Sequence, residues 1–299
     1  MNSKKLNLLT CFNSSYAKYA AVSINSYLKH SGLNLKPIFA VDQSVSQEQI
    51  KIIKSIFPNC EFIEINRSEI ESKFPTFQKV SKLDISAMYR IYAIKKMVND
   101  LTLYVDVDTV CRGSLEKLHD YSDSLRSREK VVAACSHFRK GNSYQMCELD
   151  SPYLYFNSGV LMFYPKILSE FVNPDIIRNV VSIKPNIFDY ADQSCMNYLL
   201  KGKVKWMEYI YNAETWFFVK DIPFYKSDIN PLAELLDFSV ERALKESKII
   251  HFTNIKPWDL IYGSTRYQNE PQNLIFWIQA EKEFRNDYGS EALVQLSKC

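Results

Sequence analysis

The sequence predicts an α/β fold, and three observations support this prediction. Strand-like and helix-like segments alternate from the start of the chain, as they do in α/β proteins. Of the 299 residues, 46% are hydrophobic and 24% are charged, so the chain can bury a substantial core. The seven cysteines are scattered and never form a C-x-x-C pair, which argues against a disulfide framework or a zinc site.

The first part of the chain establishes the alternation. Leu6–Phe12 is a short apolar strand, and the cluster N-S-S at residues 13–15 is suited to cap a helix. Apolar residues at helical spacing predict that this helix covers residues 16–30. Further strands are expected at residues 37–41, 61–65, 101–105, 131–135 and 157–164, and helices at residues 47–56, 86–98, 166–179 and 191–200.

The chain becomes less regular after residue 205. Tyr, Trp and Pro are interleaved there, until the pattern predicts a helix at residues 239–247, a strand at 248–252 and a last helix at 272–288. No repeat or flexible linker divides the chain, so we expect one domain over residues 1–260 and a C-terminal helical extension over residues 261–299. The last helix should dock on the domain through Phe276 and Trp277; attachment to a membrane surface is the alternative.

Composition and charge exclude several classes of function. The 37 Lys and Arg residues outnumber the 34 Asp and Glu residues by only 3, which is too balanced for a protein that binds nucleic acid by neutralising phosphates. The seven glycines form neither a G-x-G-x-x-G nor a Walker A loop, so other groups must hold any phosphate. No apolar run approaches the roughly 18 residues that span a bilayer. We expect a protein of a reducing compartment.

The strongest local signal is Y-V-D-V-D-T at residues 104–109, where two acids follow a buried strand. Ligands of open α/β sheets bind at the carboxyl ends of strands. Asp106 and Asp108 are therefore candidate ligands for Mg²⁺ or Mn²⁺, with phosphate oxygens of a substrate in the remaining positions. The alternative is that both acids only cap a turn.

Two further segments place polar residues at breaks in regular structure. In F-N-S-G-V-L-M at residues 156–162, Asn157 and Gly159 would let a ligand approach closely, although an ordinary β-bulge is the alternative. Asp192 and Gln193 stand at the beginning of a predicted helix, where simple N-capping by Asp192 is the alternative.

The fourth signal is I-I-H-F-T-N-I-K-P-W at residues 249–258, which places one histidine at the end of an apolar strand. A lone histidine is usually structural. If His251 joins the two carboxylates, however, the three side chains form a mixed nitrogen and oxygen site that suits Mn²⁺, and Lys256 can neutralise a phosphate.

Together these four segments resemble the retaining glycosyltransferases of family eight, which include bacterial lipopolysaccharide galactosyl- and glucosyltransferases and the glycogenins. The resemblance runs in order from Leu6 to about Trp258. It implies a GT-A type, Rossmann-like nucleotide-sugar-binding fold with a mixed central sheet. It also implies that the protein binds a UDP-sugar and a divalent metal, usually Mn²⁺, with Mg²⁺ as the alternative.

The resemblance assigns a role to each matching residue. The metal ligands are Asp106, Asp108 and His251, and the catalytic residues around the transferred sugar are Asp192 and Gln193, with Gln193 nearest the reacting carbon. The donor is bound by the loop around the uridine and by residues near the diphosphate and the sugar: Thr10, Cys11, Asn13, Tyr16, Arg90, Asp106, Val107, Asn157 and Lys256.

The sequence departs from the family pattern at three positions. The family often has an acid in the first loop that recognises uracil, and Asn13 stands there instead. Asn254 replaces a usual glycine between His251 and Lys256. Where some members place an aspartate in the acceptor pocket, after the strand at residues 131–135, this chain has His137, so we expect a different acceptor.

The leading hypothesis is a Mn²⁺-dependent retaining hexosyltransferase that moves galactose or glucose from a UDP-sugar to an oligosaccharide or glycolipid of the bacterial surface. We expect it in the cytoplasm or peripherally at the inner face of the cell membrane, without nucleic-acid partners. The alternatives are a glycogenin-like self-glucosylating enzyme, a catalytically silent nucleotide-sugar-binding protein and a metal-dependent nucleotidyltransferase. The small net charge of +3 argues against the last of these.

Overall fold

Two sheets organise the part of the chain that the structure describes. The structure is a computed structural model and describes residues 5–81, 83–137, 143–218, 240–253, 256–261 and 273–298. The strands are β1 Leu6–Phe12, β2 Leu35–Asp42, β3 Glu61–Ile65, β4 Thr102–Val105, β5 Thr109–Cys111, β6 Val132–Ser136, β7 Phe156–Phe163, β8 Val204–Met207, β9 Ala213–Glu214 and β10 Ile249–His251. A seven-stranded sheet has the strand order β3-β2-β1-β4-β7-β6-β8, and a three-stranded sheet has the order β5-β10-β9.

Helices connect these strands and cover the large sheet. They are α1 Ala17–His30, α2 Gln47–Ile56, α3 Arg67–Lys73, α4 Phe77–Val80, α5 Tyr89–Lys96, α6 Ser122–Arg126, α7 Ser143–Met146, α8 Pro165–Phe171, α9 Pro174–Ile183, α10 Ala191–Leu199, α11 Val240–Glu246, α12 Pro257–Ile261, α13 Leu274–Tyr288 and α14 Ser290–Ser297. Short 3-10 turns cover Ser14–Tyr16, Ile85–Met88, Glu116–Tyr121, Pro152–Leu154, Pro185–Tyr190, Tyr209–Tyr211 and Thr215–Phe218.

The large sheet is mixed, as predicted. β1 pairs in parallel with β2 and β4, whereas β7 runs antiparallel to both β4 and β6. β7 is buried along its whole length because it lies between β4 and β6 inside the sheet. The ends of β1 and β4 and the start of β7 therefore meet at one edge, and this edge carries the candidate site.

Local sequence signals account for several of the helix boundaries. Ser46 begins α2 with a capping box, in which its hydroxyl accepts from the Gln49 amide and the Gln49 side chain accepts from the Ser46 amide. The expected single helix at residues 166–179 is wrong: α8 ends at Phe171, and Asn173 caps a second helix whose first residue is Pro174. Proline is favoured in the first turn of a helix and disfavoured in its interior, so the first helix ends before Pro174 and a second helix begins there.

Other expectations hold with small shifts. The predicted strands all form within two residues of the expected bounds, and the helix at 47–56 forms over the expected residues. The helix expected at 86–98 is split between the 3-10 turn Ile85–Met88 and α5. The strands β5, β8 and β9 and the helices α3 and α14 were not predicted, because they are short or lie where polar and aromatic residues mask the periodicity.

The last helices pack on the sheet domain, as expected. Trp277 of α13 is fully buried and its ring lies 5.3 Å from Trp258, 5.8 Å from Phe252 and 6.2 Å from Tyr19. His30 Nε2 of α1 lies 2.7 Å from Glu283 Oε2 of α13, which joins the two helices by a hydrogen bond. The division of the chain at residue 260 stays a prediction.

Two further observations concern the cysteines and the lengths of the helices. The six described cysteines are free thiols. In the same part of the chain, every helix is too short or too polar to cross a membrane.

We predict that Trp277→Ala lowers the free energy of unfolding by about 3–5 kcal/mol, because it removes a large buried ring from an aromatic cluster. Ile275→Ala is the matched control in the same helix, since that side chain is 62% exposed and its loss should cost less than about 0.5 kcal/mol. Urea unfolding followed by circular dichroism measures both. Equal, small effects would show that α13 contributes little to the core.

Candidate functional site

Residues 106–109, which follow β4 and are called the acidic turn below, join the two sheets. The Asp106 amide donates to the Gly159 carbonyl of β7 at 2.8 Å, and the Phe252 amide after β10 donates to the Asp108 carbonyl at 2.9 Å. Thr109 closes the turn, because its hydroxyl donates to the Asp106 carbonyl at 2.8 Å. The backbone of the turn is thus held from both sides, and its two carboxylates project at the edge between the sheets.

The predicted ligand set converges at this edge. One ligand atom each from Asp106, Asp108 and His251 lies within 4.8 Å of the others. His251 Nε2 is 3.4 Å from Asp108 Oδ1 and 3.8 Å from Asp106 Oδ2. The Asp108 and His251 side chains are almost fully buried, whereas that of Asp106 is 28% exposed. The three side chains form a concave donor set that opens on the Asp106 side.

The donor set fits a divalent cation chemically. Two carboxylates and one imidazole suit Mn²⁺, and the carboxylates alone would also suit Mg²⁺. His251 Nδ1 lies 2.9 Å from Asn212 Oδ1, and the Asn212 amide nitrogen donates to Asn157 Oδ1 at 3.0 Å. Because Asn212 donates through its nitrogen, its oxygen is left to accept the Nδ1 proton of His251. In the neutral ring the lone pair on Nε2 then faces the carboxylates.

Gly159 provides the space for this donor set. A Cβ atom at this position would lie 2.1 Å from His251 Cε1 and 2.8 Å from Asp106 Oδ2, well inside normal contact distances. The predicted alternative, a β-bulge, is also present, since the pairing of β6 with β7 is irregular between Ala134 and Ser136. The glycine therefore makes room for the His251 and Asp106 side chains, and the close approach of a ligand stays a prediction.

Lys256 contacts the acidic turn, and its side chain is 32% exposed. Its ammonium group forms an ion pair with Asp108 Oδ2 and donates to the Phe252 carbonyl at 3.3 Å. Burial alone would raise the pKa of Asp108, but Lys256 and His251 hold that pKa well below its usual range. Burial would lower the pKa of Lys256, and Asp108 raises it above its ordinary value instead. Both groups are therefore charged at neutral pH.

Arg90 is the second buried cation of the site. Its Nε lies 2.7 Å from Asp192 Oδ2, one terminal nitrogen lies 3.3 Å from Asp106 Oδ1, and the other donates to the Ser158 carbonyl. The guanidinium carbon lies 4.3 Å from the centroid of the Tyr104 ring. Arg90 thus connects α5, the acidic turn, β7 and the start of α10.

Asp192 and Gln193 begin α10, as predicted, but Asp192 does not cap it. The residue before them, Ala191, adopts a φ of 49°, a left-handed conformation that costs a non-glycine residue about 1–3 kcal/mol. Asp192 is 1% exposed and turns its carboxylate to Arg90. Burial raises its pKa to about 6, although the Arg90 charge opposes this shift.

The Gln193 side chain is held by its neighbours on β7. Its Oε1 accepts from the Ser158 amide at 3.0 Å and from the Ser158 hydroxyl at 3.3 Å, and its Nε2 donates to the Tyr155 hydroxyl at 3.2 Å. The amide orientation is therefore fixed, because the oxygen faces two donors.

An open cleft of about 230 Å³ lies beside the acidic turn. It is lined by predicted donor residues and by a few others: Cys11, Phe12, Asn13, Tyr16, Leu83, Asp84, Ser86, Ala87, Arg90, Tyr104, Asp106, Val107, Asp108, Lys256 and Trp258. A larger cavity of about 660 Å³ is lined by Lys5, His119 and Arg126 among others, and contains none of the candidate residues.

Several predicted residues lie outside this cleft. Thr10 is 1% exposed, and its hydroxyl has no hydrogen-bond partner among the described residues. Asn157 is buried beside the donor set, and its Oδ1 accepts from the Gly159 amide at 2.7 Å. His137, the predicted acceptor residue, is buried at the end of β6, and Asn254 lies outside the described residues.

Sequence reasoning missed two buried residues of the site, Asn212 and Glu214. Both lie in the irregular segment after residue 205, where no periodicity or motif distinguishes them. Their partners are 39 to 77 residues away in the sequence, so only the fold reveals the contacts.

Comparisons with known proteins agree with the geometry. A family model described as glycosyl transferase family 8 matches residues 7–261. A lipopolysaccharide 1,2-glucosyltransferase of Escherichia coli (strain K12) is 29% identical over 191 residues, which cover 60% of this chain and 52% of that protein. The aligned region thus spans about half the length of this curated relative.

Solved structures of the galactosyltransferase LgtC share the fold. One, a complex with donor and acceptor sugar analogues, has a TM-score of 0.70 and 18% identity, and the match covers 93% of this chain and 96% of that chain. Another, an active-site mutant in which glutamate replaces glutamine, has a TM-score of 0.71 with the same coverage. The likeness confirms the expected GT-A type fold with a mixed central sheet and C-terminal helices.

The family model covers well over half of the chain, and its range includes the acidic turn, α10 and β10 that build the site. The chain therefore belongs to glycosyl transferase family 8.

Proposed function

We propose that the protein is a metal-dependent, retaining hexosyltransferase that moves galactose or glucose from a UDP-sugar to a hydroxyl of a bacterial surface glycan. The observation that carries this proposal is the convergence of Asp106, Asp108 and His251 at one end of a cleft that also contains Lys256 and Arg90. Membership of glycosyl transferase family 8 supports the group-transfer chemistry.

The charges around the cleft favour a diphosphate donor. Asp106, Asp108 and Asp192 carry three negative charges when ionised, and Lys256 and Arg90 supply two positive charges. A divalent cation at the three ligands reverses the sign of this cluster, so that it attracts the two phosphates of a UDP-sugar. Asn13 and Tyr16 line the same cleft, which supports the proposal that they contact the uridine.

The residues around the reacting bond suit a front-face substitution. The bond between the sugar C1 and the diphosphate oxygen breaks, the acceptor oxygen bonds to C1 on the same face, and the acceptor proton passes to the departing diphosphate. A bound divalent cation supplies Lewis-acid stabilisation of the negative charge that accumulates on the leaving group. Lys256 adds a positive charge there, which stabilises the transition state more than the ground state.

Neither Asp192 nor Gln193 is suited to act as a nucleophile. The Gln193 amide is a poor nucleophile, and its oxygen already accepts two hydrogen bonds. Asp192 is buried and paired with Arg90. We infer that Gln193 positions the sugar and that Asp192 holds Arg90, which favours the front-face route over a covalent intermediate. LgtC, which shares the fold, also has a glutamine in its active site.

The acceptor class follows from the relatives. The curated relative acts on lipopolysaccharide, which supports a glycan of the bacterial surface as acceptor. His137 would line the acceptor side, and its difference from the family pattern supports a distinct acceptor sugar. We place the reaction in the cytoplasm, with peripheral contact to the membrane that carries a glycolipid acceptor.

The direct test incubates the protein with a panel of UDP-sugars and Mn²⁺, with and without EDTA, and measures UDP release. We expect release with UDP-galactose or UDP-glucose, and its loss in chelator. Release that is equally fast in EDTA, or absent with every donor and acceptor glycan, would overturn the proposal. Self-glucosylation would appear instead as a mass increase of the protein without added acceptor.

Asp108→Ala should reduce turnover by about 10²-fold or more, since it removes a buried ligand and the partner of Lys256. It should also weaken UDP binding only when Mn²⁺ is present. Calorimetric titration of UDP with and without Mn²⁺ measures this difference. Asp123→Asn, an exposed acid of α6, is the control and should bind UDP like the wild type. Unchanged UDP affinity of Asp108→Ala in Mn²⁺ would argue against direct coordination.

Gly159→Ala should weaken Mn²⁺ binding by about 10–100-fold, because the added methyl group displaces His251 and Asp106. Electron paramagnetic resonance of free Mn²⁺ measures the affinity without turnover. Gly113→Ala is the matched control, since its Cβ meets only the flexible Lys248 side chain. Equal Mn²⁺ affinities of the two variants would contradict the assigned ligands.

A further inference from the structure

Glu214 is a buried carboxylate for which the transfer reaction above has no use. The residue is 1% exposed at the end of β9. One carboxylate oxygen lies 2.5 Å from His137 Nδ1, and the other accepts from the Asn157 amide nitrogen at 3.4 Å. Burying a carboxylate costs free energy unless the carboxylate is paired or hydrogen-bonded. The residues that pair with Glu214 therefore indicate its role.

A chain of side-chain hydrogen bonds leads from Glu214 to the cation site. Asn157 donates to Glu214, and the Asn157 oxygen accepts from the Asn212 amide nitrogen at 3.0 Å. The Asn212 oxygen faces His251 Nδ1 at 2.9 Å. Asn157, Asn212 and His251 are all at most 6% exposed, so these contacts lie away from solvent. Each amide can therefore satisfy its neighbours in only one orientation.

The strand register brings the two ends of this chain together. Glu214 of β9 is the register partner of His251 in the parallel pair β9 and β10. On the other side of β10, His251 is the partner of Thr109, which follows Asp108. The small sheet thus places Glu214, His251 and the acidic turn side by side.

We propose that Glu214 is a positioning residue that fixes the proton of His251 on Nδ1 and so presents Nε2 to the cation. The inference deepens the proposed function and rests on it for the presence of a cation. Glu214 accepts the Asn157 amide proton and acts together with the Gly159 amide, which donates to the Asn157 oxygen; the two orient Asn157 so that its oxygen faces Asn212 and the Asn212 oxygen faces His251. The same carboxylate holds His137 at the predicted acceptor side, so it couples the two ends of the site.

Glu214→Gln breaks this arrangement with almost no change in volume. A glutamine has one acceptor oxygen and one donor nitrogen, whereas the carboxylate faces donors at both oxygens. While His137 keeps its proton on Nδ1, one of these contacts must be lost or Asn157 must rotate its amide. Rotation of Asn157 would turn its amide nitrogen to the donors of Asn212 and Gly159.

The test measures the affinity for Mn²⁺ by electron paramagnetic resonance, without donor or acceptor sugar. We expect Glu214→Gln to bind Mn²⁺ about 10-fold more weakly than the wild type, in the range found for residues that orient metal ligands. Glu208→Gln, an exposed glutamate on the same segment, is the matched control and should bind like the wild type. Unchanged Mn²⁺ affinity in folded Glu214→Gln would overturn the proposal.

A second measurement reads the His251 proton directly in the metal-free protein. Long-range ¹H–¹⁵N spectra at alkaline pH should show His251 with its proton on Nδ1 in the wild type and a mixture of tautomers in Glu214→Gln. A His251 proton that stays on Nδ1 in the variant would overturn the proposed role of Glu214. If Glu214→Gln does not fold, Asn212→Ala interrupts the chain nearer the metal and should weaken Mn²⁺ binding similarly; unchanged affinity there would also overturn it.

These measurements distinguish the role of Glu214 from the transfer reaction, because neither of them uses turnover. If the protein transfers no sugar but Glu214→Gln weakens Mn²⁺ binding, the role of Glu214 is supported and the proposed function is overturned. If transfer depends on Mn²⁺ but Glu214→Gln binds Mn²⁺ like the wild type, the proposed function is supported and the role of Glu214 is overturned.

Discussion

Two backbone hydrogen bonds determine where the chemistry can occur. The Asp106 amide is tied to β7 of the large sheet, and the Asp108 carbonyl is tied to the residue after β10 of the small sheet. The acidic turn is therefore the bridge between the two sheets, and its carboxylates project where the sheets diverge. Because β10 is bound to the same turn, His251 arrives beside the carboxylates through strand pairing rather than through a flexible loop. Ligands held on paired strands are fixed more accurately than ligands on loops.

Burial strengthens the electrostatic interactions between the charged side chains around the acidic turn. Asp108 and Asp192 are nearly inaccessible, and each has a cation in direct contact, Lys256 and Arg90 respectively. The two acids respond differently, since the pKa of Asp108 is lowered while burial raises that of Asp192 to about 6. A charge introduced by a ligand would thus act on groups that water screens poorly. This property suits the proposed transfer, in which negative charge moves onto a diphosphate.

The sequence predicted the parts of the site that are carried by local pattern. A buried strand followed by Y-V-D-V-D-T placed Asp106 and Asp108 at a sheet edge, and the apolar strand before His251 placed that residue at another strand end. The missed break at Pro174 was readable from proline alone. Asn212 and Glu214 could not be found in this way, since their roles come from pairing between segments far apart in the chain. Such contacts depend on topology and leave no periodic trace.

The scarcity of glycine gains a specific meaning from this site. With only seven glycines, the chain holds no phosphate loop of the glycine-rich kind, and the cations that line the candidate cleft are Lys256 and Arg90. One glycine, Gly159, is nevertheless required, because any side chain there would enter the space between His251 and Asp106. At Ala191 the chain instead tolerates a left-handed alanine to begin α10 beside Arg90. At the candidate site, a close approach at Gly159 and a strained backbone at Ala191 thus both serve to bring buried charged side chains together.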